Sequence, residues 1–238
     1  MSDPTVLQDL AGVIAVLKPV GLATQAPPGI DSVERWLRCQ LGRDASGYLG
    51  VPHRLDRGVS GVVLMAATPR AARKLSRQFE RREVVKTYLA VVEPQELGVS
   101  GPWAGIAASV TIEWRDFVRK IPEEARSEIV EPHATAAREA VTQVAALDAA
   151  GAGAPARLLK LVPLTGRMHQ LRLQAASRGL PIVGDELYGG RPLADGDPRE
   201  RPILLHAWRI EYSDPDSDDR VTVEAPLPDH WPAWARPA

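Results

Sequence analysis

The chain has 238 residues, 25% charged and 45% apolar, enough to bury a sizeable core without staples. A single cysteine, Cys39, excludes an intrachain disulfide and a cysteine-built zinc site, and fits a reducing compartment such as the cytoplasm. The 29 basic and 30 acidic residues give a net charge of -1, which does not advertise a nucleic-acid binder. Val13–Leu17 is far too short an apolar run to span a bilayer, and no basic segment precedes it as in a secretory signal.

Residues 1–11 are polar and weakly patterned and read as a short N-terminal arm. Val13–Leu17 reads as a strand ended by Lys18-Pro19 and Gly21. Apolar Val33, Trp36, Leu37 and Leu41 recur at helical spacing, so Asp31–Leu41 is predicted helical, with Asp31 and Glu34 as a capping box and Gly42 as the stop. Gly47–Asp56 is a loop or short strand, and Gly61–Ala67 an apolar strand. Thr68 then caps a second helix with Pro69 at its first position; Ala72, Leu75 and Phe79 form the inner face. Val84–Val92 is a central strand. Ile106–Trp114 is a candidate strand, and Pro122–Pro132 a charged loop. Glu139–Leu147 and Leu158–Leu164 read as strands around an Ala149–Pro155 turn, Arg167–Ser177 as a helix, and Gly189–Arg201 as a loop. Leu204–Tyr212 and Val221–Ala225 close the chain. The whole is α+β, with one catalytic domain over 12–238.

Charge is unevenly spread. Arg70–Lys86 holds seven basic and two acidic residues, and Glu211–Arg220 five acidic and one basic. A solvated helix face, a contact between these two segments, or an anion-binding surface would each explain the basic run.

Residues 53–61 read His-Arg-Leu-Asp-Arg-Gly-Val-Ser-Gly. Asp56 stands between the guanidiniums of Arg54 and Arg57. A positioned, ionised carboxylate can act as a nucleophile or as an electrostatic stabiliser; an Asp–Arg salt bridge in a turn is the other reading of the same residues. The window resembles the signature of the RluA-type pseudouridine synthases, His-Arg-Leu-Asp-x-x-Thr-Ser-Gly. Lys86-Thr87-Tyr88-Leu89-Ala90-Val91-Val92 is similar to that family's Lys-x-Tyr-x-Ala-x-Val strand. Thr165-Gly166-Arg167-Met168-His169-Gln170-Leu171-Arg172 is similar to its Thr-Gly-Arg-x-His-Gln-hydrophobe-Arg motif, and Gly184-Asp185-Glu186-Leu187-Tyr188-Gly189 to its Gly-Asp-x-x-Tyr-Gly turn. Lys18-Pro19-x-Gly21 and Leu204-Leu205-His206-Ala207 agree more loosely. The motifs stand in the family's order, from about Gly12 to Pro228. Val59, Met168, Gln174 and Val144 depart from the residues common at their positions.

The resemblance implies a mixed, mainly antiparallel sheet flanked by helices and loops, with a central active-site cleft. It implies isomerisation of uridine in RNA, by cleavage of the N1 glycosidic bond, rotation of the base and rejoining through C5. By the same resemblance Asp56 is the catalytic aspartate. Tyr88 stacks on the target base, Arg172 pairs with the aspartate, and Arg54 fills the place of the extruded base. Arg57, Arg167, His169 and Gln170 support the site or the RNA, with packing or capping as the alternative for the last three. Arg73, Lys74, Arg77 and Arg81 are expected to include phosphate contacts. No metal, nucleotide or redox cofactor is expected: the sequence has no Walker loop, no GxGxxG fingerprint and no histidine pair at metal-ligand spacing. The expected partner is a structured ribosomal or transfer RNA stem-loop, with no membrane, bound by a monomeric protein. A sugar–base hydrolase and a non-catalytic RNA-binding module are the rival readings; the first would need a second carboxylate beside Asp56.

Overall fold

The structure is a computed structural model, and it describes residues 3–43, 47–94, 110–147, 156–193, 195, 197 and 201–237. The chain divides into two compact units, one of Met1–Lys86, Gly196–Pro202 and His206–Pro228, the other of Thr87–Asp195, Ile203–Leu205 and Asp229–Ala238.

In the first unit the N-terminal arm is a strand, β1 (Thr5–Leu10), antiparallel to β2 (Val13–Lys18). Its exposed, polar positions hid it in the sequence, since an edge strand carries little hydrophobic patterning. β2 pairs antiparallel with β3 (Ser60–Ala66), every residue of which is buried. β3 then pairs in parallel with β9 (Leu205–Ser213) through Ser60↔His206 and Gly61↔Ala207, and β9 pairs antiparallel with β10 (Arg220–Glu224). Gly61 has φ +122, and a Cβ there would stand 2.3 Å from the carbonyl oxygen of Ala207. Only glycine permits this approach of the two strands.

Two helices belong to this unit. Helix α1 (Val33–Gln40) is capped by Ser32, whose hydroxyl accepts from the amide of Arg35, one residue later than the predicted Asp31 cap. Asp31 instead pairs with Arg35 at 3.2 Å on the exposed side. Helix α2 (Pro69–Glu80) begins as read: Thr68 accepts from Ala71, and Pro69 opens the first turn. Its buried residues are Ala71, Leu75 and Gln78, with Ala72 and Phe79 half-buried at the margin, so the inner face is turned slightly from the predicted one. Ala71 and Leu75 pack on Val13, Ala15, Val62, Leu64, Ala66, Ile210 and Tyr212, the alternate positions that β2, β3 and β9 direct to one side.

In the second unit β4 (Val85–Val92) pairs with β8 (Arg157–Pro163), β8 with β7 (Arg138–Leu147), β7 with β5 (Thr111–Lys120) and β5 with β6 (Ser127–Ile129), all antiparallel. β6 lies inside the predicted charged loop: three residues have no period of their own, and only the pairing Val118↔Ile129 makes them a strand. β5 runs past the predicted end at Trp114; residues 106–109 of the predicted strand and the predicted turn at 149–155 lie outside the described residues. Helix α3 (Gln170–Ala176) begins three residues late, because His169 takes a left-handed conformation at φ +53 and breaks the helical path. Leu173 of α3 packs on Val118 and Ala140. Among the described residues no helix is long and apolar enough to cross a membrane.

Candidate functional site

In the first unit Asp56 occupies a tight turn leading into β3, with the amide of Val59 donating to the Asp56 carbonyl at 3.1 Å. Both of its neighbours are fixed through their main chains. The hydroxyl of Thr24 accepts from the Leu55 amide at 3.0 Å and donates to the Leu55 carbonyl at 3.1 Å. The Arg57 carbonyl accepts from the Gly21 amide at 2.9 Å and from Lys18 Nζ at 3.1 Å. Lys18 is fully buried and also donates to the carbonyls of Pro19 (2.9 Å) and Leu22 (2.7 Å), so all three ammonium hydrogens have an acceptor. Burial lowers the Lys18 pKa from 10.5 to about 7, opposed by the charge of Asp56 and assisted by that of Arg57.

Arg54 is exposed; Asp56 and Arg57 are half-buried, and Arg57 Nε has no hydrogen-bond partner among the described residues. His53 points inward: its Nε2 accepts from the Leu64 amide at 2.8 Å and its ring stacks on Phe79 at 4.7 Å. Burial and, after it, the charge of Lys86 push the His53 pKa down to about 3, so the ring is neutral. Ser60, which follows Val59 into β3, lies 2.8 Å from His206 Nδ1, while His206 Nε2 lies 3.3 Å from the Ala225 carbonyl. A carbonyl only accepts, so Nε2 is the donor of that bond.

In the second unit Tyr88 lies half-buried on β4, opposite Leu161 of β8. Arg172 is buried on α3, and its Nε and Nη2 each donate to Asp185 at 2.7 Å, a bidentate pair with both partners under 10% exposed. The Arg172 guanidinium also lies 5.3 Å from the ring centre of Tyr188. The Tyr188 hydroxyl takes the Ser127 amide at 2.9 Å and sits 3.1 Å from His169 Nδ1.

Gln170 is buried and serves as a strut. Its Oε1 accepts from the Thr165 hydroxyl (2.7 Å) and the Arg167 amide (3.0 Å), and its Nε2 donates to the Val141 carbonyl (3.0 Å) and Thr142 Oγ1 (2.9 Å). Thr142 passes the chain of bonds to Gln174 Oε1 at 2.6 Å, and Gln174 Nε2 donates to Asp116 at 2.7 Å. Arg167 is half-buried, with Nε donating to the Glu139 carbonyl at 2.9 Å. The α3 motif thus joins β7 to its helix through side-chain amides.

The basic helix α2 is partly engaged. Lys74, read from the sequence with the phosphate-contacting residues, lies 3.4 Å from Asp218, and Arg70 lies 3.0 Å from Asp216, both at the surface. Arg73, Arg77 and Arg81 are exposed.

Three features escaped the reading of side-chain roles. Asp185 and Tyr188 belong to a motif legible in the sequence, but their partnership with Arg172 and His169 depends on the Gly184–Gly190 turn folding back. Lys18 was legible as a turn signal and as part of a loosely matching motif, not as a buried ammonium. The Ser60–His206 pair spans 146 positions and has no local signature. Among the described residues no group of three or more His, Cys, Asp or Glu side chains is arranged to hold a metal.

The family model described as RNA pseudouridylate synthase matches residues 12–177. The chain is 33% identical over 227 residues to "tRNA pseudouridine synthase C" of Yersinia pestis, with 92% of this chain and 84% of that protein covered. It is 32% identical over 220 residues to "Ribosomal large subunit pseudouridine synthase C" of Rickettsia felis, with 91% of this chain covered but only 65% of the length of that relative. Among solved structures, "Human RNA Pseudouridylate Synthase Domain Containing 1" shares the fold, with a TM-score of 0.70 at 24% identity over 95% of this chain and 84% of the other. With the signature loop, the tyrosine strand and the α3 motif all inside or within reach of a match over residues 12–177, the chain belongs to the RNA pseudouridylate synthase family.

Proposed function

We propose that this protein isomerises specific uridines in ribosomal or transfer RNA to pseudouridine, working as a monomer in the cytoplasm, with 12–238 as one catalytic domain and no cofactor. In the reaction the N1–C1′ bond breaks, the base turns, C5 bonds to C1′, the C5 proton leaves and N1 takes one up. Asp56 supplies the carboxylate. The observation that carries this role is the fixing of both its neighbours: Leu55 by Thr24, Arg57 by Lys18 and Gly21, so the turn presents the side chain from a rigid main chain. Tyr88 stacks on the target base, Arg172 supplies positive charge for the aspartate, and Arg54 takes the place of the extruded base, a role its exposure supports. Arg57, Arg167 and His169 contact the RNA or position those that do, while Gln170 acts through the strut it forms. Arg73, Arg77 and Arg81 contact phosphates; Lys74, engaged by Asp218, is left out of that set.

Pseudouridine mapping of transfer-RNA and ribosomal-RNA transcripts incubated with the purified protein tests the reading. The wild type is expected to form pseudouridine without releasing uracil, and Asp56→Asn to lose at least about a thousandfold in rate while keeping its melting temperature. Comparable turnover by Asp56→Asn would overturn the role of Asp56; free uracil would favour hydrolysis.

A further inference from the structure

Helix α2 carries its basic residues on two adjacent stripes, because every fourth residue of a helix returns to nearly the same side. Positions 70, 74 and 78 form the first. The first two engage the acidic turn between β9 and β10, and the third the end of β9 that leads into it. Arg70 lies 3.0 Å from Asp216, Lys74 lies 3.4 Å from Asp218, and Gln78 exchanges two bonds with the main chain of Ser213, at 2.8 and 2.7 Å. The turn is built to hold its shape. Asp214 Oδ1 accepts from the amides of Asp216 (2.6 Å) and Ser217 (3.0 Å), and the Asp214 amide donates to the Asp219 carbonyl at 2.8 Å. Arg220, just beyond it, donates to the Glu83 carbonyl at 3.1 Å. Positions 70 and 74 are one four-residue helical step apart, a rise of about 6 Å. The turn sets one carboxylate, 216 or 218, against each of the cations at 70 and 74.

The second stripe is positions 73, 77 and 81. Among the described residues Arg73 and Arg77 have no ion-pair partner, and Arg81 has only Glu83 at 3.9 Å on the surface. One helix thus presents an edge whose cations are already neutralised beside an edge whose cations face solvent.

We propose that the β9–β10 turn is an internal anion that withholds Arg70 and Lys74 from RNA, leaving Arg73, Arg77 and Arg81 as the phosphate-contacting edge of α2. The inference deepens the RNA-modifying reading above and rests on it. Each exposed ion pair is weak, on the order of 0–1 kcal/mol, but Gln78 and Arg220 keep the carboxylates in place, so an RNA phosphate must compete with a tethered anion. The device lowers sequence-independent attraction to polyanions in general and gives recognition more to the contacts around the target uridine.

Asp216→Asn/Asp218→Asn releases Arg70 and Lys74. Binding of an unmodified transfer-RNA transcript and of a ribosomal-RNA hairpin is measured as log affinity against log salt. Two added phosphate contacts are expected to steepen the slope by roughly 1.5, at about 0.7–0.9 per contact, and to tighten binding at low salt. An unchanged or shallower slope, with native melting, overturns the proposal. Should the double variant fail to fold, Arg70→Gln/Lys74→Gln is compared with Arg73→Gln/Arg77→Gln/Arg81→Gln: only the triple variant is expected to flatten the slope, and equal flattening by both overturns it. Pseudouridine formation by the unaltered protein is read on the same RNAs. Its absence counts against the isomerase reading, whereas its presence with an unchanged slope counts against the turn alone.

Discussion

The turn that carries Asp56 and the helix that carries Arg172 are fixed by different parts of the chain. Beside Asp56 the bonds described go to main-chain groups: the Thr24 hydroxyl holds the amide and carbonyl of Leu55, and the Lys18 ammonium with the Gly21 amide holds the carbonyl of Arg57. Around Arg172 bonds to the main chain are joined by a run from side chain to side chain, through Gln170, Thr142, Gln174 and Asp116, with Arg172 itself on Asp185. A main-chain clasp tolerates variation at the residues it holds, since every residue offers the same carbonyl, and concentrates its dependence on Lys18 and Thr24. A side-chain relay makes each member depend on its neighbours, because truncating one leaves another buried and unsatisfied. The first arrangement is sensitive to pH and the second to composition.

The largest expected effect is in the relay. Asp185→Asn removes one charge of a buried bidentate pair and is expected to cost about 3–5 kcal/mol in urea unfolding. A loss below about 1 kcal/mol would mean that α3 is held by apolar packing and that the contrast is false. Gln174→Ala comes next. It strips a hydrogen-bond partner from Thr142 and from Asp116, at about 2–3 kcal/mol by the same measurement.

Lys18 sharpens the other side. Its folded pKa, about 7, lies below its ordinary 10.5, so between these values the unfolded chain binds more protons and stability rises with pH. The slope is at most about 1.4 kcal/mol per pH unit. Lys18→Met is expected to flatten it: from about pH 7.5 to pH 9 the wild type gains about 2 kcal/mol over the variant. Parallel stability profiles would show that the ammonium is not desolvated as its burial implies.

Much of this was legible wherever the determinants are local. Thr68-Pro69 announced α2 because the cap and the proline act within one turn. Asp31 and Ser32 are both good caps, and sequence alone does not choose between neighbours. β1 and β6 were missed because pairing, not patterning, makes them strands. Asp56, Tyr88 and Arg172 stood out through motifs, while what holds them did not. The strut that Gln170 forms and the bidentate pair between Asp185 and Arg172 have no signature of their own in the sequence. Both rest on contacts that the chain makes only after folding back on itself.

The parallel pairing of β3 with β9 has a consequence for the order in which the protein is made. Ser60 and His206 are separated by 146 positions. At ordinary elongation rates the ribosome needs on the order of ten to thirty seconds to deliver the second after the first. Through that interval the start of β3, where Gly61 leaves room for an approaching carbonyl, has no parallel partner, and β10 does not yet exist. The continuous stretch Thr87–Asp195 emerges meanwhile and contains the strands β5 to β8 with α3, which need nothing later in the chain to pair with one another. The unit that begins translation therefore stays incomplete while most of the other is already made. A nascent chain halted before His206 carries an open strand edge, the kind of surface on which a growing polypeptide finds the wrong neighbour.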